Sequence, residues 1–213
     1  MTKPRLLLFD LGNVLVRFEP EKFSLALGFN ATKGQIHYES GVRELTNRYE
    51  SGKTTTDEYF NALRDFLKNQ FEIPLLESAF LSVLTDPIPG MEELVRNATK
   101  RLPSALVSNT NELHFSSVLT RVPALKYLPK RYLSYRIGAI KPSAEFYEHI
   151  IKDEDVKPGE MLFIDDVAAN VAAAEKAGMV GFLFNSAERL EDYLKHVGVF
   201  SLSVSPRSSQ FHN

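Results

Sequence analysis

Four short, continuous apolar runs limit the fold of this chain more than any other feature of its sequence. They span residues 6–9, 104–107, 161–164 and 180–184. Unbroken apolar runs of this length are typical of strands that are buried on both faces, as in a parallel sheet. The sequence therefore predicts four buried strands.

Helical patterns alternate with the later runs. They cover residues 90–100, 144–152, 167–177 and 187–197, and Gly178 is placed to end the third helix. Strands that alternate with helices imply βαβ units with right-handed crossovers. We expect an α/β fold built around a parallel sheet.

The region between the first two runs has a different character. It contains no convincing strand, and Thr55 to Glu58 has the pattern of a helix start, followed by apolar residues at helical spacing over residues 59–67. Residues 74–83 form another helical pattern. We interpret this region as an all-helical insert.

Proline-rich segments at residues 19–20 and 86–90 bound the insert. We expect a discontinuous core and a polar tail that frays. The predicted domains are a core of residues 1–17 and 87–200, an insert of residues 18–86 and a tail of residues 201–213.

Composition excludes several classes of site and partner. The chain has no cysteine, so disulfides, zinc–thiolate sites and cysteine nucleophiles are excluded. The net charge is −2, which gives no general attraction to nucleic acid. No apolar stretch approaches the roughly 20 residues that span a bilayer. We expect a cytoplasmic protein that binds neither nucleic acid nor membrane; the sequence does not indicate its oligomeric state.

Polar residues directly follow three of the apolar runs: Asp10, then Ser108 and Asn109, then Asp165 and Asp166. In open parallel sheets, ligands bind beyond the carboxyl ends of the strands. We therefore expect these side chains to converge on one edge, with Ser108 and Asn109 opening a helix.

Carboxylates at such an edge suit phosphoryl transfer. Asp10 can attack phosphorus and form an aspartyl phosphate, which water then hydrolyses. A divalent cation removes the repulsion between carboxylate and phosphate, and Mg²⁺ prefers oxygen ligands. The expected Mg²⁺ ligands are Asp10, Asp166 and the backbone carbonyl of Gly12, with Asp165 either a further ligand or a group that supports them.

Cationic and polar groups complete the predicted site. Lys141, next to Pro142, would neutralise charge during catalysis and bind phosphate. Ser108, Asn109 and main-chain N–H groups at the following helix N-terminus would bind phosphate oxygens. Three arginines are candidate substrate contacts, although a surface role suits each of them better: Arg17, Arg43 and Arg48.

Together these segments resemble the haloacid dehalogenase-like (HAD) hydrolase superfamily, and their order and spacing match it to about Phe184. The motifs are Phe9 to Val14, then Val107-Ser108-Asn109, then Lys141-Pro142, then Asp165-Asp166 with Asn170. The resemblance implies a Rossmann-like core, a helical cap inserted after the first strand and a flap at residues 14–18. It also implies a Mg²⁺-dependent phosphatase of a small phosphate ester, such as a sugar phosphate.

Within the superfamily, the first motif and Tyr49 to Gly52 resemble the glucose-1-phosphate phosphatase-like branch and the N-terminal phosphatase domain of soluble epoxide hydrolase. Phosphatases of the superfamily usually carry a second aspartate, a general acid, where this chain has Gly12. The branch shares this glycine. Metal-bound water, a cap residue or an easily displaced leaving group are the alternatives for the missing acid.

The gap at Gly12 leaves two other functions open: a metal-free 2-haloacid dehalogenase, and a binding or regulatory protein that kept the fold. The paired Asp165 and Asp166 favour the metal enzyme, because buried carboxylates without a cation are costly.

Overall fold

The computed structural model describes residues 3–29 and 40–201, and its centre is a sheet of five parallel strands. The predicted parallel α/β sheet is confirmed. Across the sheet the strands lie in the order β5 (Lys130–Leu133), β4 (Ser104–Ser108), β1 (Leu6–Phe9), β6 (Met161–Asp165) and β7 (Val180–Leu183).

The central strand, β1, is buried on both faces, as its unbroken apolar sequence predicts. Leu7 and Phe9 belong to one hydrophobic cluster, whereas Leu6 and Leu8 belong to another. Successive side chains of a strand point to opposite faces, so the two clusters lie on the two sides of the sheet.

Helices cover both faces of the sheet and pack into these two clusters. The first cluster receives side chains from α5 (Met91–Thr99), α6 (Glu112–Val118) and α10 (Ala187–His196). The second receives them from α8 (Ala144–Asp153) and α9 (Ala168–Lys176). A single turn, α7 (Ser134–Ile137), and two 3₁₀ turns (Pro123–Tyr127 and Pro158–Glu160) complete this part.

The part of the predicted insert that the structure describes, residues 18–29 and 40–86, contains four helices: α1 (Glu21–Ala26), α2 (Ser40–Glu50), α3 (Thr56–Phe66) and α4 (Ile73–Leu81). Helix α3 begins with the expected capping box, in which Thr55 accepts from the Glu58 N–H and the Glu58 carboxylate accepts from the Thr55 N–H. Tyr49 of α2 stacks on Tyr59 of α3 with ring centroids 4.7 Å apart. No strand lies among the described residues 19–29 and 40–83.

A two-stranded antiparallel sheet stands where the chain enters and leaves the insert. It pairs β2 (Val16–Phe18) with β3 (Leu84–Pro87). Strand β3 was not predicted from the sequence, because only Leu84 of its four residues is buried and no apolar run marks it. The predicted domain boundaries at residues 17–18 and 86–87 fall in these strands and stay a prediction.

In the core, one strand was also missed and the start of one helix was misplaced. Strand β5 is an edge strand with an exposed Lys130, so its sequence lacks the apolar run of the inner strands. Helix α6 begins at Glu112 after the cap residue Asn111, whose side chain accepts from the His114 N–H at 2.9 Å. The prediction that Ser108 and Asn109 open this helix is therefore wrong.

The predicted tail, apart from Ser201, lies outside the described residues. Among the helices that the structure describes, none has the length and apolar character needed to cross a bilayer.

Candidate active site

Four polar side chains from separate parts of the chain line one cavity of about 290 Å³ beyond the carboxyl ends of the strands. Asp10 follows β1, Ser108 ends β4, Asp166 follows β6, and Lys141 enters from the loop before α8. The expected convergence of these residues is therefore seen in the structure.

Lys141 joins the carboxyl ends of β1 and β6 through buried ion pairs. Its Nζ lies 2.8 Å from Oδ1 of Asp10 and 2.7 Å from Oδ2 of Asp165. Only 4% of Lys141 is exposed. A buried ammonium between two carboxylates fixes both of them, because either would be left uncompensated without it.

Asn109 positions the main chain of Lys141. Its side-chain amide nitrogen donates to the Lys141 carbonyl at 2.9 Å, and its amide oxygen accepts from the Lys141 N–H at 2.8 Å. Asn109 also lines the cavity, where its predicted contact with phosphate stays a prediction.

Asp165 is fully buried, and both of its oxygens already accept hydrogen bonds. Besides Lys141, its donors are the Val167 N–H at 2.9 Å and the side-chain amide of Asn170 at 3.0 and 3.2 Å. Such a carboxylate supports its neighbours more readily than it binds a further group. It does not line the cavity.

Asp166 has a more open setting. It lines the cavity, is partly buried, and accepts a hydrogen bond at 3.0 Å from the side-chain amide of Asn13. Asn13 adopts a left-handed backbone conformation with φ 52°, which asparagine tolerates better than most residues. Asp166 is thus better placed than Asp165 to meet a bound ion.

The three aspartates form a group that fits a divalent cation. One oxygen each of Asp10, Asp165 and Asp166 lies within 4.8 Å of the others. Lys141 brings a single positive charge to three carboxylates, so the cluster keeps a negative charge that a cation offsets. Hard oxygen donors are the ligands that Mg²⁺ and Ca²⁺ prefer. Gly12, whose carbonyl is the predicted third ligand, lines the same cavity.

Burial perturbs the ionisation of this cluster. It raises the pKa of Asp10 to about 7, against the opposing attraction of Lys141. Burial also raises the pKa of Asp166. For Lys141, burial opposes the charged form, but Asp10 and Asp165 outweigh it and the pKa is raised. The lysine therefore stays protonated, while the carboxylates gain from any added positive charge.

The phosphate-binding side of the site differs from expectation. Ser108 is buried and its Oγ, which donates to the Asn109 carbonyl at 3.2 Å, lies in the cavity wall. The main-chain N–H of Thr110, two residues after Ser108, donates to the Ser134 hydroxyl at 2.9 Å. Since α6 begins four residues after Ser108, its N-terminal N–H groups do not stand where the sequence placed them.

Helix α2 supplies a wall of the cavity that sequence reasoning largely missed. One face of the helix, at spacings of three and four residues, carries Arg43, Thr46, Asn47 and Glu50 into the cavity lining. Residues at this spacing share a helix face. That spacing was the available signal, but nothing in the sequence showed which face of α2 meets the sheet.

The three candidate arginines separate in the structure. Arg43 lines the cavity, whereas Arg48 lines a neighbouring crevice between α2 and the loop before α8. Arg17 is exposed and lines neither.

Two contacts fix the insert against the core. A Cβ added to Gly52, which has φ +66°, would overlap the carbonyl oxygen of Tyr135. The His114 ring stacks on Phe80 of α4 at 3.9 Å between centroids, with Nε2 2.8 Å from the Phe80 carbonyl. These contacts join the α2–α3 connection and α4 to the core.

Comparisons with known proteins agree with this architecture. The family model described as haloacid dehalogenase-like hydrolase matches residues 4–178. The D-ribitol-5-phosphate phosphatase of Bacteroides thetaiotaomicron is 28% identical over 188 residues, covering 83% of this chain and 89% of the relative.

Solved structures share the fold. The HAD family enzyme BT-2542 of Bacteroides thetaiotaomicron, in complex with magnesium and inorganic phosphate, superposes with a TM-score of 0.73 at 24% identity, over 86% of this chain and 95% of that chain. L-2-haloacid dehalogenase from Xanthobacter autotrophicus gives a TM-score of 0.61 at 17% identity, over 92% of this chain and 84% of that one. The resemblance seen in the sequence is confirmed at the level of the family.

Proposed function

The chain belongs to the haloacid dehalogenase-like hydrolase family, and from this we propose that it is a Mg²⁺-dependent phosphatase that hydrolyses the phosphate ester of a small metabolite. The observation that carries the proposal is the cluster of Asp10, Asp165 and Asp166 around Lys141, at a cavity that Ser108 also lines. The phosphatase relative from Bacteroides supports it.

Asp10 is the proposed nucleophile. Its carboxylate attacks phosphorus, the bond from phosphorus to the ester oxygen breaks, and an aspartyl phosphate forms. Water then attacks phosphorus and releases phosphate and the free carboxylate. Lys141, which holds Oδ1 of Asp10, orients the carboxylate and offsets charge on the phosphoryl group.

Asp10, Asp166 and the Gly12 carbonyl would hold the metal ion, with Asp165 holding Lys141 and the loop through its own hydrogen bonds. When bound, Mg²⁺ supplies positive charge that offsets the repulsion between carboxylate and phosphate. Ser108 and the Asn109 main chain would bind phosphate oxygens beside it.

A sugar phosphate or polyol phosphate is the proposed substrate class. The cavity of about 290 Å³ suits a small molecule. The α2 face presents hydrogen-bonding side chains, Arg43, Thr46 and Asn47, in place of an apolar wall. The named substrate of the Bacteroides relative is a phosphorylated polyol.

The test is hydrolysis of p-nitrophenyl phosphate and a panel of sugar and polyol phosphates, with Mg²⁺ or with EDTA, for the wild type and Asp10→Asn. We expect activity that needs both Mg²⁺ and Asp10. Chloride release from a 2-haloacid that is indifferent to EDTA would instead identify a dehalogenase. No turnover of any ester would favour a binding protein.

A further inference from the structure

Glu50, the last residue of α2, places a carboxyl group in the cavity that holds Asp10. The residue is partly buried. Within the described ranges 3–29 and 40–201, its carboxyl group has no hydrogen bond or ion pair with another side chain. A carboxyl group that faces a substrate cavity, with no such partner among the described residues, is available to interact with substrate.

The other titratable groups that line the cavity are already engaged. Lys141 holds Asp10, Asp166 accepts from Asn13, and both ring nitrogens of His114 lie within hydrogen-bond distance of Asn111 and Phe80. Arg43 stays charged at any accessible pH and cannot release a proton. Among the cavity residues that the structure describes, Glu50 is thus the group best placed to exchange one.

The proposed reaction needs such a group. A sugar or polyol ester leaves as a basic alkoxide unless its oxygen is protonated as the bond to phosphorus breaks. A positioned acid typically accelerates a step of this kind by about 10² to 10⁴-fold. Gly12, beside the nucleophile, has no side chain that could provide the proton.

We propose that Glu50 is a catalytic residue that protonates the leaving oxygen and later deprotonates the hydrolytic water. This inference rests on the proposed phosphatase function and extends it. It assigns the acid–base step to the insert, while the nucleophile belongs to the core.

The protonation state of Glu50 suits this role. Burial raises its pKa to about 7, with Lys141 opposing the shift and Asp10 reinforcing it. A carboxyl group with such a pKa is partly protonated near neutral pH and can act in both directions. Substrate phosphate would favour the protonated form further, because it brings negative charge into the cavity.

The two steps balance in atoms and charge. In the first, the Oδ–P bond to Asp10 forms, the P–O bond to the alcohol breaks, and the Glu50 proton moves to the departing oxygen. In the second, Glu50 takes a proton from water as the water oxygen bonds to phosphorus. The acyl phosphate bond breaks, and phosphate and the Asp10 carboxylate are released.

The test compares Glu50→Gln with the wild type on two esters, in Mg²⁺ across pH 5 to 9. For an alkyl ester such as glycerol phosphate, we expect kcat/KM, which reports the steps up to release of the alcohol, to fall by about 10² to 10⁴-fold. For p-nitrophenyl phosphate, whose leaving group needs little protonation, the fall in kcat/KM should stay below about 10-fold. The alkaline decline of kcat/KM for the alkyl ester should disappear in the variant. Glu44→Gln, an exposed position on the same helix, is the matched control.

A second variant introduces an acid at Gly12, in the core, after the acid of the insert has been removed. A Cβ at Gly12 would lie 3.8 Å from the Cβ of Phe18, an ordinary contact, and the backbone there is not in the left-handed region. Gly12→Asp in the Glu50→Gln background is therefore expected to recover at least about 10-fold of the lost alkyl ester activity. This recovery would come from general acid catalysis.

Three outcomes would overturn the assignment. They are an equal loss of kcat/KM on both esters, a rise in KM with kcat unchanged, and an unchanged kcat/KM for glycerol phosphate. Each requires an active wild type, so each is distinct from failure of the phosphatase proposal. A wild type that hydrolyses neither ester would overturn both.

Discussion

At the scale of single residues, Lys141 does most to keep the site together. Its ammonium group joins Asp10, directly after β1, to Asp165 at the end of β6, and Asn109, directly after β4, holds its main chain. Removing one member of a buried ion pair is costly, because the partner keeps its charge without compensation.

Lys141→Met is accordingly expected to destabilise the metal-free protein by about 3 to 5 kcal/mol, measured by urea unfolding. The loss should be larger at pH 8 than at pH 5, because the raised pKa of Asp10 allows this carboxyl group to be neutral at the lower pH. Lys126→Met is the control. It removes an ion pair to Glu92 in which the lysine side chain is 57% exposed, so a loss below about 1 kcal/mol is expected. Equal losses in the two variants would contradict this account.

Single residues were also where the sequence was most informative. Asp10, Ser108 and Asp166 could be located because each follows an apolar run, and a parallel sheet brings such positions to one edge. Their hydrogen bonds could not be predicted, since these depend on side-chain placement. Glu50 was missed because it enters the cavity from a helix, and only tertiary packing decides which helix face meets the sheet.

At the scale of elements, the contact between the α2–α3 connection and the core offers a direct test. Gly52→Ala should destabilise the fold in two ways: the alanine would adopt a left-handed backbone conformation, and its Cβ would overlap the Tyr135 carbonyl. Gly28→Ala should destabilise it only in the first way, because φ is +81° and none of the described residues lies within 4 Å of the added Cβ. We expect a loss of about 1 kcal/mol for Gly28→Ala and about 1 to 3 kcal/mol more for Gly52→Ala.

Enzyme activity should also distinguish Gly52→Ala from Gly28→Ala. Overlap at Tyr135 moves the end of α2, and with it Glu50, so kcat for an alkyl ester should fall in Gly52→Ala and hold in Gly28→Ala. Thermal unfolding and steady-state kinetics measure the two effects independently. Similar kinetics in both variants would show that this contact does not position the helix.

The inner strands and most helices were predictable because their burial leaves a pattern in the sequence. Strands β1, β4, β6 and β7 and helices α5, α8, α9 and α10 lie within a residue or two of their predicted bounds. Strands β3 and β5 could not be predicted, because an edge strand or a short two-stranded sheet buries few side chains and needs no apolar run.

At the scale of the whole molecule, the raised pKa values of Asp10 and Glu50 link folding to pH. Both rise to about 7, so the folded state binds more protons than the unfolded state between about pH 4 and pH 7. The stability that these groups contribute is present at low pH and is lost as the pH rises through about 7. The metal-free protein should therefore lose this contribution on going from pH 5 to pH 8.

Mg²⁺ should stabilise the folded protein more as the pH rises, because it binds the ionised carboxylates. At 100 times its Kd, the ion adds about 2.7 kcal/mol, which corresponds to a rise in Tm of about 5 to 10 °C. The rise should be larger at pH 8 than at pH 5 and should be lost in Asp166→Asn. Differential scanning calorimetry with Mg²⁺ or EDTA measures it. A rise that survives in Asp166→Asn would place the ion elsewhere.

The open space at Gly12 has a consequence for the history of this chain. A glycine codon that ends in a pyrimidine becomes an aspartate codon through one base change, and a Cβ added at this position makes only an ordinary contact with Phe18. A lineage with this fold can therefore gain or discard a carboxyl group beside the nucleophile in one mutational step. With Glu50 already facing the cavity, an ancestor could pass between the two arrangements while remaining an active enzyme throughout.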